Sequence, residues 1–255
     1  MKNRVLFFLV LALGLSGCDS EPGQKTSGNT AQSHSQTEAS GGVEAEESPD
    51  RSVSLDSYAD LNAEPQGLAL TYILTARSQA QESLNDEQLL SRLSPTFHGE
   101  PDAFKRRALA ETERPKVEKK LDTYRQQQYF KLPVGGQLSD TFTLNALSIG
   151  AYDFERRGFP VASYGASCWS ASLRNPQGAY LKIEPSALDC LLPVEDESLA
   201  QTIESARASG ALKINGDLFI YIKSVAAGTA HALPVHAEID LVDVRSNTVL
   251  STVLL

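Results

Sequence analysis

Leu218-Phe219-Ile220-Tyr221-Ile222-Lys223 and Val235-His236-Ala237-Glu238-Ile239-Asp240-Leu241 decide the fold. In the first, Leu218, Ile220 and Ile222 alternate with Phe219, Tyr221 and Lys223; in the second, Val235, Ala237, Ile239 and Leu241 alternate with His236, Glu238 and Asp240. A period of two sends alternate side chains to opposite sides of an extended backbone, so both stretches are expected to be strands with one buried and one wet face. Residues 248–255 follow an Arg245-Ser246-Asn247 turn signal. Strands this close in sequence, with short connections, form an antiparallel meander.

Working outward, two further strands, 168–174 and 179–183, flank the turn sequence Asn175-Pro176-Gln177-Gly178. Phe142, Leu144 and Ala146 alternate with Thr143, Asn145 and Leu147, which predicts another strand, and Arg156-Arg157-Gly158 and Pro160 carry turn chemistry. One helix interrupts the strands: Leu199, Ile203 and Ala206 share a helical face, with acids Glu195 and Asp196 at its start and Gly210 at its stop, placing it near 196–209.

The segment before the strands reads differently. Leu68, Tyr72, Ile73 and Ala76 recur at helical spacing after Pro65 and Gly67. Asn85 or Asp86 suits the cap of a short helix through Leu93, ended by Pro95. A third helix starts near Pro101-Asp102 with Phe104, Ala108 and Leu109 inward; Pro115 interrupts it, and Val117, Leu121 and Tyr124 mark the next stripe. Helices followed by a mainly antiparallel sheet, rather than alternating with strands, predict an α+β fold.

The 255 residues include 41% apolar and 22% charged side chains, enough for one folded domain. The formal charge is -9, which disfavours nucleic-acid binding, a process driven by positive surface. Residues 18–54 are different in kind. Stretches such as Gln24-Lys25-Thr26-Ser27-Gly28 and Glu44-Ala45-Glu46-Glu47-Ser48 offer almost nothing to bury. They are expected to form a disordered tether with a reach of roughly 30–35 Å, leaving 55–255 as the globular domain.

At the amino end, Lys2 and Arg4 precede an apolar run from Val5, and Leu15-Ser16-Gly17-Cys18 closes it. This is the order of a secretory signal over residues 1–17. About thirteen apolar residues span only about 20 Å as a helix, short of the ~30 Å hydrocarbon core. Leu15-Ser16-Gly17-Cys18 resembles the lipobox of bacterial lipoproteins. The resemblance covers this segment alone and implies a diacylglyceryl group on the Cys18 thiol, cleavage before Cys18, acylation of the new amine, and attachment to the cell envelope facing the periplasm. Asp19 resembles a retention signal that favours the inner over the outer membrane. The domain after residue 55 resembles envelope proteins of no named family, and no functional residue carries over from that.

Cys168 and Cys190 remain once Cys18 is assigned to lipid. An even pair in an exported chain points to a disulfide, against the alternative of two separate buried thiols. Closing a loop of this length stabilises by about 3 kcal/mol. His231 and His236 are five apart, which on a regular strand puts them on opposite faces and argues against a shared metal. His98, beside Gly99, reads as an exposed turn residue. Gly165-Ala166-Ser167-Cys168-Trp169 lacks the second glycine of a nucleophile elbow, and Glu195-Asp196-Glu197 suits a helix start better than an acid–base pair.

A basic segment is the clearest interaction signal. Lys105, Arg106, Arg107, Arg114, Lys116, Lys119, Lys120, Arg125 and Lys131 lie among only four acids, a local charge of +5. Lys105, Arg106, Arg107, Lys116, Lys119, Lys120 and Arg125 form the candidate patch for anionic headgroups or an acidic partner, set against the plainer reading of a hydrated helical face. No cofactor, metal or catalytic set is expected. The function these features favour is a non-enzymatic, membrane-anchored lipoprotein binding an envelope protein or polymer; the alternative is a small periplasmic hydrolase with an unrecognised site.

Overall fold

A long hairpin is the spine of the fold: β8 (Leu212–Ala226) turns through Ala227 and Gly228 into β9 (Thr229–Asp243). Both turn residues have positive φ, 48° and 76°, as a two-residue turn matched to strand twist requires. The computed structural model describes residues 48–78, 84–136, 140–145, 147–163 and 167–255. The expected signal sequence, Cys18, His34, most of the expected tether, Ala146 and Gly165-Ala166 lie outside them.

Other strands assemble on this hairpin as a mixed sheet. They are β1 (Ala59–Asp60), β2 (Tyr129–Val134), β5 (Ala171–Arg174), β6 (Tyr180–Ile183) and β10 (Thr248–Leu254), in the order β1-β2-β8-β9-β6-β5, with β10 also on β9. Most pairings are antiparallel; β1 with β2 and β6 with β9 are parallel. β9 serves two neighbours along one edge, β6 over residues 229–232 and β10 over 238–243. Between them the register with β8 slips, Phe219 facing His236 while Ile220 faces Pro234. Pro234 cannot donate to the ladder, and a bulge is where a proline fits within a sheet. A three-stranded sheet, β3 (Ser148–Ile149), β4 (Gly158–Ala162) and β7 (Leu191–Pro193), stands beside the large one. The fold is α+β, and the helix near 196–209 is α5 (Glu197–Ala208), capped by Asp196, whose carboxylate accepts from the Ser198 and Leu199 amides.

Four helices lie between β1 and β2, ahead of most of the sheet. α1 (Leu68–Arg77) is buried at every position from Leu68 to Ala76, so it is an all-round core helix rather than one with a single apolar stripe. α2 (Asp86–Leu93) begins with a reciprocal capping box between Asn85 and Gln88, and Pro95 opens the short α3 (Pro95–His98). The third expectation needs correction. α4 (Ala103–Gln126) runs through Pro115 without a break. Pro115 is solvent-exposed, where the lost helical hydrogen bond leaves a carbonyl that water can reach. Val117, Leu121 and Tyr124 are its buried residues. Phe104, expected inward, is 89% exposed, and Ala108 is exposed too.

Two strand readings also change. Phe142 and Leu144 are buried, but their segment makes only an isolated bridge from Leu144 to Val134. Pro160 lies inside β4 rather than in a turn. Burial without a ladder shows that apolar alternation reports solvent exclusion, not pairing.

The second face of the spine is not wet along its length. Phe219 and Tyr221 are as buried as their neighbours. Tyr58 stands edge-on to Phe219 and to Tyr129, and Tyr129 packs on Tyr221. The chain leading to Tyr58 lies along this face. The Asp50 amide donates to the Tyr129 hydroxyl at 2.9 Å, and the Arg51 carbonyl is 3.1 Å from His236 Nε2. The last residues of the expected tether are therefore held against the sheet.

Candidate functional site

Cys168 and Cys190 are joined as a disulfide with Cα atoms 5.7 Å apart. Cys190 accepts from the Val161 amide of β4, and Cys168 precedes β5, so the bond staples the small sheet to the large one. The Trp169 indole, fully buried, donates to the Asp189 carbonyl at 2.8 Å. These groups are structural.

The histidines come to lie on one face, contrary to expectation. Ala230 and Ala232 on one side of the bulge, and Ala237 and Ile239 on the other, all belong to the core. The slip at Pro234–Val235 shifts the alternation by one, so His231 and His236 both point away from it. His236 places Nδ1 3.1 Å from the Leu255 main-chain oxygen and Nε2 3.1 Å from the Arg51 carbonyl. His231 Nδ1 lies 2.8 Å from Glu184 Oε1, and Lys223 Nζ lies 2.7 Å from Glu184 Oε2. Hydrogen bonds from Lys223 and then His231 hold the Glu184 carboxyl below the usual carboxylate range. Ser224 faces His231 across the β8–β9 ladder, but no side-chain hydrogen bond joins them among the described residues. No group of histidine, cysteine and acid side chains able to hold a metal occurs among the described residues. His98 is exposed, with Nδ1 3.1 Å from Ser91 Oγ.

The basic segment is answered by acids distant in sequence. Arg114 pairs with Asp86 at 2.6 Å, Lys120 with Glu64 at 2.7 Å and Lys131 with Asp217 at 2.9 Å; Arg106 lies 4.0 Å from Glu87. Lys116 and Arg125 pair with Glu113 and Asp122 along α4 itself. Lys105, Arg107 and Lys119 have no ion pair among the described residues. Glu64, Asp86, Glu87 and Asp217 come from other elements, so this compensation does not show in the local charge of the segment. Such exposed pairs contribute little stability but do lower the local field.

Sequence reading passed over a second surface, the groove between α5 and the turn joining β3 to β4. Tyr152, Phe154, Glu197, Ser198, Ala200, Gln201 and Glu204 enclose about 530 Å³. Phe154 is 82% exposed yet held in place. The Asp153 carboxylate accepts from the Glu155 and Arg156 amides, both at 3.0 Å, and Asp153 and Gly158 exchange main-chain hydrogen bonds. The Phe154 ring meets Tyr152 edge-to-face, with centroids 5.1 Å apart. Tyr152 is anchored by its hydroxyl, which donates to the Val194 carbonyl at 2.9 Å, and by its amide, which donates to Glu204 at 3.2 Å. Arg207 grips Glu204 through two nitrogens, at 2.9 and 2.6 Å, and holds its carboxyl below the usual range. Glu197 has no hydrogen bond or ion pair from its carboxylate among the described residues. The one signal available in the sequence was Phe154 inside polar turn residues.

A larger groove, about 600 Å³, lies among Val134, Leu144, Leu147, Ile149, Lys213 and Ile214. Among the described residues, no helix is long and apolar enough to cross a membrane. No protein-family model, no curated protein and no solved structure matches the chain.

Proposed function

We propose that this chain is a lipid-anchored protein of the bacterial cell envelope, facing the periplasm from the inner membrane, whose α+β domain is a non-enzymatic binding module for an envelope protein or polymer. The observation that carries the reading is Leu15-Ser16-Gly17-Cys18 at the end of a short apolar run headed by Lys2 and Arg4. Several acyl chains on one terminus would hold the protein firmly where a single chain binds only marginally. The Cys168–Cys190 disulfide supports export, since such bonds persist in oxidising compartments. The exposed Phe154 beside an open groove supports a binding role, because aromatic side chains are enriched where protein surfaces meet.

The test is intact mass of the full chain recovered from envelope fractions. The expected product begins at Cys18 and carries diacylglyceryl and N-acyl groups, and Cys18→Ser abolishes both processing and membrane attachment. A product beginning at Met1, with no lipid mass, overturns the reading. Crosslinking in intact envelopes should then capture a partner in addition to the bait.

A further inference from the structure

We propose that the groove between α5 and the β3–β4 turn recognises a lysine or arginine side chain on a basic segment of a partner protein. This rests on the reading of the domain as a binding module and names the chemistry of what it binds.

Three features of the groove select a cation. Phe154 is 82% exposed, its ring in T-shaped contact with Tyr152 and its backbone carried by the hydrogen-bonded Asp153 turn, which restricts where the ring can go. A cation placed over the face of such a ring is attracted by its quadrupole. The Glu197 carboxylate lines the same groove with no partner of its own, in the exposed first turn of α5. The surroundings are acidic as well. Glu155 and Glu195 are exposed and have no ion pair among the described residues, while of the neighbouring arginines Arg156 is engaged by Asp189 and Arg207 by Glu204, leaving Arg157 uncommitted. An anionic ligand would meet Glu197 and Glu204 directly. An uncharged apolar ligand would strand the Glu197 carboxylate and the Gln201 amide against itself, and burying them unpaired is costly. A lysine or arginine satisfies the ring and the carboxylate together.

The experiment titrates fluorescein-labelled hexalysine and hexaglutamate against the full lipidated chain in neutral phosphatidylcholine nanodiscs, read by fluorescence anisotropy. Hexalysine is expected to bind and hexaglutamate not. Phe154→Ala and Glu197→Gln should each weaken hexalysine by about tenfold, Phe154→Tyr should retain binding, and Lys119→Gln, on α4 and not among the groove residues, should change nothing. Phe154 and Glu197 are exposed, so the variants are expected to fold, which circular dichroism checks. Absence of hexalysine binding overturns the proposal. So does affinity unchanged in Phe154→Ala or Glu197→Gln, which would mean diffuse attraction to an acidic surface. Self-association lost in Phe154→Ala and insensitive to hexalysine would assign the groove to a second copy and also overturn it. If Phe154→Ala leaves the envelope crosslinking partner intact, this inference fails while the binding-module reading stands.

Discussion

The Arg77 guanidinium, in the last turn of α1, donates from Nε to the Tyr124 carbonyl in the last turn of α4 at 3.3 Å. The same group reaches the Gln127 carbonyl and, at 3.5 Å, the Ile222 carbonyl of β8. One cation thus serves orphan acceptors at a helix C-terminus, where positive charge is favoured by the helix dipole, and ties two helices to the sheet. Burial pulls its pKa down, but a guanidinium remains charged throughout the working range. Arg77→Met keeps the stem and removes the donors, leaving part-buried carbonyls without partners. The expected loss is about 2–3 kcal/mol, read as a lower urea midpoint at unchanged slope. A loss below the error of the titration would show that water replaces the guanidinium freely.

Asn175 does comparable work for the β5–β6 hairpin. Its amide donates to the Gly67 carbonyl at 3.0 Å and to Thr71 Oγ1 at 2.9 Å, while its oxygen accepts from the Ala179 amide at 2.8 Å. Asn175 is almost fully buried, so each group depends on the others. Asn175→Ala is expected to cost about 2 kcal/mol and to raise amide exchange at Ala179 before elsewhere. Uniform exchange across the sheet would show that the clip is not local.

Acid should unfold the domain through a small set of carboxylates. Glu113 is held below the usual range by hydrogen bonds from Lys116 and Ser94, Glu184 by Lys223 and His231, and Glu204 by Arg207. Each has a folded pKa below its unfolded value. The stability each contributes is complete above about pH 5 and is lost as pH falls through the unfolded and then the folded pKa. Chemical denaturation between pH 7 and pH 3 should show a decline confined to the acid side, less steep in Glu184→Gln. An identical slope in that variant would remove Glu184 from the account.

The disulfide makes the fourth prediction. Thiol labelling of the unreduced, denatured protein should modify neither Cys168 nor Cys190. The double Cys→Ser variant should be less stable by about 3 kcal/mol, chiefly because the unfolded chain regains freedom over the 22-residue separation. Two reactive thiols would refute the bond.

Several elements were legible because their cause is local. The α2 start at Asn85, the α5 start at Asp196, the turn at Asn175–Gly178 and the alternation in β8 each express short-range hydrogen bonding or side-chain period. The groove at Phe154 was not legible, since an exposed phenylalanine differs from a buried one only in what covers it. Phe104 illustrates the point in reverse: its spacing suggested the core, and no neighbour arrives to bury it.

By itself, then, the sequence determined that most of the helices come before most strands of a mainly antiparallel sheet, where many of the elements begin and end, and which cysteines are available to pair. Tertiary structure decided what those elements face. Tyr58 and Tyr129 close the second side of the spine, one slipped register at Pro234–Val235 brings two histidines to a common surface, and Glu64, Asp86 and Glu87 temper the charge of α4. The reason is physical. Backbone propensity and side-chain period act over a few residues, whereas burial and charge compensation depend on groups that only folding brings within a few ångströms of each other.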